Sequence, residues 1–301
     1  MSSAAEEGGA VEADICCANC GAAEIDDVKL EECGGCDLVK YCSDGCRELH
    51  RPEHVGECKR RAKELHNRKL FTQPDETHLG ECPLCFLPLP IDPQKSAFLS
   101  CCSETVCNGC VDAHCMANKH DRVKAERCPF CREPGASGNK EIRKRLMKRV
   151  KANDPDALRH LGLELFIEGD YDGAFKQLTR AAELGDFTAH YQLGLMYEAG
   201  KGVEKDEKKR VHHLEEAAIG GHPQARHALA CYEGRNGNIK RAAKHFIIAA
   251  NLGYEQSMKA LWWHYSDGSI TKEDLDATLR THQDAIKSMK SEQREAADRA
   301  K

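Results

Sequence analysis

Residues 189–209 read AHYQLGLMYEAGKGVEKDEKK, and the fold turns on whether this stretch belongs to a series. Set beside "ALRHLG" at Ala157, "ARHALA" at Ala225 and "SMKALW" at Ser257, its "AHYQLG" at Ala189 gives steps of 32, 36 and 32 residues. A second motif keeps the same rhythm: "AAELG" at Ala181, "AAIGG" at Ala217 and "AANLG" at Ala249. Steps of this size mark stacked helical pairs, each burying its apolar face against its neighbours. Ala pairs permit close approach of two helices, and a Gly just past a helix takes the left-handed cap conformation. The four extra residues of the middle step fall in "EAGKGVEKDEKK" (Glu198–Lys209), which reads as a longer turn between helices.

Within that turn, "GKGVEKD" resembles the turn of a Sel-one-like repeat, a relative of the tetratricopeptide repeat. The resemblance implies a solenoid over residues 153–265 with a concave, protein-binding face. His160, His190, Tyr191 and His227 recur at helix positions and read as packed scaffold, and Cys231 as a small core residue. The C-terminal part, 266–301, is polar all round and is expected to be a solvated capping helix that frays.

The cysteines are distributed otherwise. Of 18 in 301 residues, all but Cys231 precede Arg132. The opening "MSSAAEEGGAVEAD" is small and acidic, without the apolar core of a signal peptide, so residues 1–15 are expected to be a disordered tail of a cytoplasmic or nuclear protein. Disulfides are rare in those reducing compartments, and clustered thiols there point to metal. No run approaches the ~18 apolar residues of a membrane span, so no membrane partner is expected. The net charge of −5 argues against a dedicated nucleic-acid binder. Residues 59–80 and 135–152, the latter containing "EIRKRLMKRVK" (141–151), read as basic, solvated linker helices.

Between Cys17 and Cys58 the spacing is Cys17-x2-Cys20, Cys33-x2-Cys36, Cys42-x3-Cys46 and His54-x3-Cys58, enough ligands for two tetrahedral zinc ions. A segment of about forty residues with so few large apolar side chains needs metal to fold. The pattern, with "YC" before the third pair, resembles a MYND-type zinc finger over residues 16–58. That resemblance implies interleaved pairs: Cys17, Cys20, Cys42 and Cys46 on one ion, and Cys33, Cys36, His54 and Cys58 on the other. It also implies docking of proline-containing peptides, although Arg51 stands where the family usually has Trp. Cys16 and His50 are nearby competitors for these places and read as a spare thiol and a surface imidazole.

Residues 81–134 hold Cys82-x2-Cys85, then Cys101 and Cys102 in "LSCCSETVCNGC", Cys107-x2-Cys110, and Cys128-x2-Cys131. The long loop after Cys85 and the seventeen residues before Cys128 resemble a RING finger. The resemblance implies Cys82, Cys85, Cys107 and Cys110 on one ion. The usual His position of the second pair is occupied by Glu104. All-cysteine RING variants fill that place with a cysteine just upstream, which here puts Cys101 with Cys102, Cys128 and Cys131. Adjacent side chains point apart in an extended strand, so this pairing requires a backbone turn; Glu104, His114, Cys115 and His120 are the alternatives. Leu84, Pro129 and Arg132 match the family's contacts with a ubiquitin-conjugating enzyme and ubiquitin.

The fold expected is therefore mainly α: two small zinc-stabilised modules followed by an α-helical-repeat solenoid, carrying about four Zn2+. No protease or transferase motif surrounds any cysteine, and a methyltransferase would need a cofactor-binding domain that no segment resembles. A nucleic-acid reader would need a basic recognition helix at finger spacing. The reading that remains is an adaptor binding other proteins through its repeats and its MYND-type finger, with a RING-type ubiquitin ligase as the alternative.

Overall fold

The computed structural model describes residues 16–22, 24 and 29–300, arranged in two compact units divided after Leu70. The expected acidic tail, 1–15, lies outside the described residues. The chain is mainly α, with thirteen helices and four short strands among the described residues. Among the described residues no helix is long and apolar enough to cross a membrane.

The first unit holds the antiparallel pair β1 (Glu31–Glu32) and β2 (Lys40–Tyr41), followed by one 27-residue helix, α1 (Asp44–Leu70). Its core is small: Cys17, Leu30 and the fully enclosed Tyr41. Helix α1 runs through Pro52 without a break.

The second unit begins with cysteine-rich elements. A 3-10 turn (Pro93–Lys95) leads into the hairpin β3 (Ser96–Leu99) and β4 (Glu104–Cys107), then α2 (Asn108–Ala117) and the short α3 (Arg122–Ala125). Helix α4 (Asn139–Lys151) follows, then the repeat pairs α5 (Pro155–Glu168) with α6 (Tyr171–Glu183), α7 (Phe187–Ala199) with α8 (Glu207–Ile219), and α9 (Pro223–Arg235) with α10 (Ile239–Asn251). Helices α11 (Glu255–Ser266), α12 (Lys272–Ser288) and α13 (Glu292–Arg299) end it.

The repeat motifs explain these helices. Asp154, Asp170, Asp186 and Asp206 each accept a backbone N–H of the following first turn; His222 takes that place before α9 through Nδ1. The long turn lies between α7 and α8, where its four extra residues were expected. Inside, the small residues let helices approach: a Cβ on Gly162 would stand 2.8 Å from Leu178 Cγ. Leu158, Leu178, Leu193, Leu214, Leu229 and Leu261 are enclosed, each contributing about 2 kcal/mol by burial. His160, His190, Tyr191 and His227 are packed scaffold, as expected. For example, His227 Nδ1 lies 2.9 Å from Ser257 Oγ.

Three expectations are corrected. Cys231 is exposed and is not among the buried residues of α9. Helix α4 is not a solvated linker: Leu146 and Val150, one turn apart, enter the same core as Leu158 and Leu178. Nor does the C-terminus fray as a single polar helix. Leu275, Thr278 and His282 make a buried stripe on α12, with His282 Nδ1 at 2.8 Å from the Ala250 carbonyl. Helix α13 packs on α2.

The cysteine-rich part of this unit is joined to the repeats by aromatic stacks. Phe98 of β3 lies 3.7 Å from His160, His78 4.0 Å from His222, and Phe71 4.6 Å from His245, centroid to centroid.

Candidate metal centres

Among the described residues four groups of four side chains converge, with the ligand atoms of each group within 4.8 Å of one another. They are Cys17, Cys20, Cys42 and Cys46; Cys33, Cys36, His54 and Cys58; Cys82, Cys85, Cys107 and Cys110; and Cys101, Cys102, Cys128 and Cys131. The sulfur separations, 3.6 Å for Cys20–Cys42, 3.7 Å for Cys33–Cys58, 3.9 Å for Cys85–Cys107 and 3.5 Å for Cys101–Cys131, are far beyond a disulfide. They match the edge of a tetrahedron whose centre lies about 2.3 Å from each sulfur, the size zinc requires. In the second group Cys36 Sγ is 3.2 Å from Nε2 of the buried His54.

The backbone that aims these sulfurs is a local device used three times. After Cys17-x2-Cys20, Cys82-x2-Cys85 and Cys128-x2-Cys131, the next residue donates its N–H to the first cysteine's carbonyl: Gly21 at 2.9 Å, Phe86 at 2.9 Å and Arg132 at 3.0 Å. All three adopt the left-handed conformation, which Phe86 and Arg132 do without being glycine. The turn also points N–H groups at the first sulfur. Burial opposes ionisation of Cys17, but N–H donors from Cys20, Cys42 and Asn19 outweigh it and bring the thiol down to about 6. For Cys82, burial is likewise outweighed by N–H groups of Cys107, Leu84 and Cys85, giving about 7. Cys42 and Cys101 move oppositely. Hydrogen bonds shared with Cys20 and Cys46 push Cys42 up to about 12, and burial with the neighbouring Cys131 and Cys128 pushes Cys101 up. Cys33 and Cys128 are lowered as well, so each group holds at least one thiol whose ionisation the fold favours, and a cation would hold the others ionised.

Cys101 and Cys102 reach one centre because the chain turns between them and β4. Cys102 N and Ser103 N both donate to the Leu99 carbonyl, at 3.1 and 2.8 Å, and Ser103 is left-handed. The alternatives stand outside the group. Glu104 lies in β4 and lines a cleft of about 360 Å³ with His78, Arg159 and Asp186. His114 Nε2 lies 3.1 Å from the Lys124 carbonyl, the Cys115 thiol points to the Ala125 carbonyl, and His120 is exposed. In the first unit, Cys16 is exposed and outside both groups, and His50 lies 3.0 Å from the Tyr41 hydroxyl. Leu84 and Pro129 are half-buried, and Arg132 is exposed.

Two arginines missed by the sequence reading support the second pair of groups. Arg149 of α4 donates to the Cys101 carbonyl at 2.9 Å, and Arg294 of α13 reaches Cys85 Sγ at 3.4 Å. The basic run 141–151 held a signal for the first: Arg145 and Arg149 are four apart on one face, and Arg145 donates to the Pro134 carbonyl at 2.8 Å.

Comparison with known proteins accords with this geometry. Residues 17–58 match the MYND finger, and residues 155–186, 188–222 and 223–254 match the Sel1 repeat. Among solved structures, a Sel1 repeat protein from Oxalobacter formigenes is 28% identical, with 60% of this chain and 72% of that chain covered and a TM-score of 0.44. The protective antigen c5321 of uropathogenic Escherichia coli, which displays an SLR fold, is 18% identical, with 59% and 37% covered and a TM-score of 0.43. The chain carries a MYND finger and three Sel1 repeats, and its four Cys and Cys/His groups account for about four zinc ions.

Proposed function

We propose that this protein is an adaptor that joins two zinc modules to a helical-repeat binding surface, with the sixteen side chains of the four groups as the zinc ligands. The observation that carries the reading is the pairing of a MYND finger with Sel1 repeats in one chain, since both are protein-interaction modules. Zinc chemistry here is structural: every place around each ion is filled by a protein ligand, leaving none open for a substrate or water. Thiolate ligands suit a cytoplasmic or nuclear location.

Crosslinking and mass spectrometry of proteins bound in cells test it. Cys36→Ser in the finger and Trp262→Ala with Trp263→Ala on the exposed face of α11 should each remove a different subset of partners. Loss of the same subset by both variants would contradict an adaptor.

A second reading is favoured by one observation. In residues 81–134 the first and third cysteine pairs share one group and the second and fourth share the other, the interleaving of a RING finger. Here Leu84 and Pro129 would meet a ubiquitin-conjugating enzyme, and the exposed Arg132 would donate to carbonyls of enzyme and ubiquitin together, a task suited to its rigid fork. Autoubiquitination by the full chain with a panel of conjugating enzymes should then be lost in Arg132→Ala with four zinc ions retained. Inactivity of the unaltered chain across the panel would leave the adaptor.

A further inference from the structure

Arg294 is buried although it lies in a short helix of otherwise polar sequence near the end of the chain. Nη1 donates to the carbonyls of Pro88 and Met289, both at 2.7 Å. Nη2 donates to the Leu87 carbonyl at 3.1 Å and to Cys85 Sγ at 3.4 Å. The approach is backbone-close: a Cβ on Gly109, at the start of α2, would lie 2.8 Å from Arg294 N and 2.9 Å from its Cα. Only glycine admits α13 there. Lys95 closes the contact with an ion pair to Asp298 at 2.7 Å.

A buried guanidinium needs a counter-charge. Four thiolates on one divalent ion leave a centre of about −2, and the arginine sits against its edge. Hydrogen bonds from a surrounding shell to metal-bound ligands tune affinity and reactivity, because they withdraw charge from the ligand atoms.

We infer that Arg294 is the outer partner of the ion held by Cys82, Cys85, Cys107 and Cys110, so that filling this centre and docking α13 stabilise each other. The inference rests on the zinc assignment proposed above. By reciprocity of linkage, the C-terminal helix protects the thiolates and the ion retains the helix. The end of the chain therefore acts as a metal-dependent latch on the second cysteine-rich module, and loss of zinc there uncovers the surface of α2.

Zinc-loaded full-length protein pulsed with N-ethylmaleimide, with modification read at each cysteine by mass spectrometry, tests both steps. Exposed Cys231, which belongs to none of the four groups, gives the rate of a thiol not held in a metal centre. In the unaltered chain Cys85 and Cys107 should react far more slowly than Cys231. Arg294→Met, of similar length but uncharged, should speed both on the order of tenfold to a hundredfold, leaving Cys128 and Cys131 unchanged. Unchanged protection at Cys85 and Cys107, or an equal rise at Cys128 and Cys131, would overturn the inference. Reaction of Cys85 and Cys107 at the Cys231 rate in the unaltered chain would instead refute the zinc assignment. Hydrogen exchange across 292–299 gives the reciprocal reading. Cys85→Ser should raise it while Cys131→Ser, in the other group of the same module, should not; an equal rise in both would show that α13 senses only the module's folding.

Discussion

The two cysteine-rich regions use the same ligand chemistry and rest on different supports. In residues 16–70, β1, β2 and α1 supply the scaffold, and the apolar core is little more than Leu30 and Tyr41 beside the ligands. In residues 78–134 the hairpin's Phe98 enters the solenoid core, Arg149 and Arg294 hold carbonyls around the groups, and His78 stacks on His222. Metal is therefore the main source of order in the first region and a shared one in the second, where burial against the repeats continues after the ion is gone.

The largest effect should come from chelation. Hydrogen exchange in 16–58 should rise to the rate of an unfolded chain, β3 and β4 should lose protection only in part, and α5 to α11 should keep theirs. Equal and complete loss in both cysteine-rich regions would break the comparison, and collapse of the helical circular dichroism would contradict the independence of the repeats.

Removing one ligand is the next step down. Cys101→Ser and Cys102→Ser should each lower the zinc content from about four to about three, as should Cys36→Ser in the first unit. Glu104→Gln should retain all four. If elemental analysis finds the reverse, the turn at Leu99–Ser103 does not place both cysteines on one ion.

Most of this was legible in the sequence because it is local. A C-x2-C pair fixes two sulfurs within one turn, so spacing gave the pairs, the resemblances to MYND and RING fingers implied how the pairs interleave into four groups, and recurring Ala and Gly marked the repeats. The adjacent pair Cys101–Cys102 could not be settled that way, since it depends on the left-handed backbone at Ser103. Long-range support was invisible for a different reason. Arg294 is about two hundred residues from the carbonyls it holds, and one buried arginine in a polar helix leaves no periodic trace. Leu146 and Val150, a turn apart in a basic run, left a trace that charge obscured.

A smaller effect isolates the apolar share of that support. Phe98→Ala removes the stack on His160 and should destabilise unit 71–301 by about 2 kcal/mol, below the cost of a fully enclosed Phe. Urea denaturation should show this with the zinc content unchanged.

The smallest is a dependence on pH. Burial, with Arg159 adding to it, holds His160 down to about 3, and burial holds His78 down to about 4, against an ordinary 6.5. Both imidazoles are neutral in the folded unit, whereas the unfolded chain binds protons below 6.5. Stability is thus unaffected above that value and falls as pH drops from 6.5 toward 4. His160→Phe should show a smaller loss of melting temperature than the unaltered chain between neutral and mildly acidic buffer; an identical loss would mean that His160 is not neutral in the fold.

Helix α1 carries Cys46, which belongs to one group, and His54 and Cys58, which belong to the other. Eight residues of helix separate Cys46 from His54, about 12 Å along the axis and a little over two turns. The helix is therefore a spacer that fixes both the distance between the two ions and their angular phase. With Cys46 held in the first group, the helix would set the rotation at which His54 and Cys58 meet Cys33 and Cys36. Filling of the two centres should then be cooperative, with the half-loaded finger less populated than two independent sites would give.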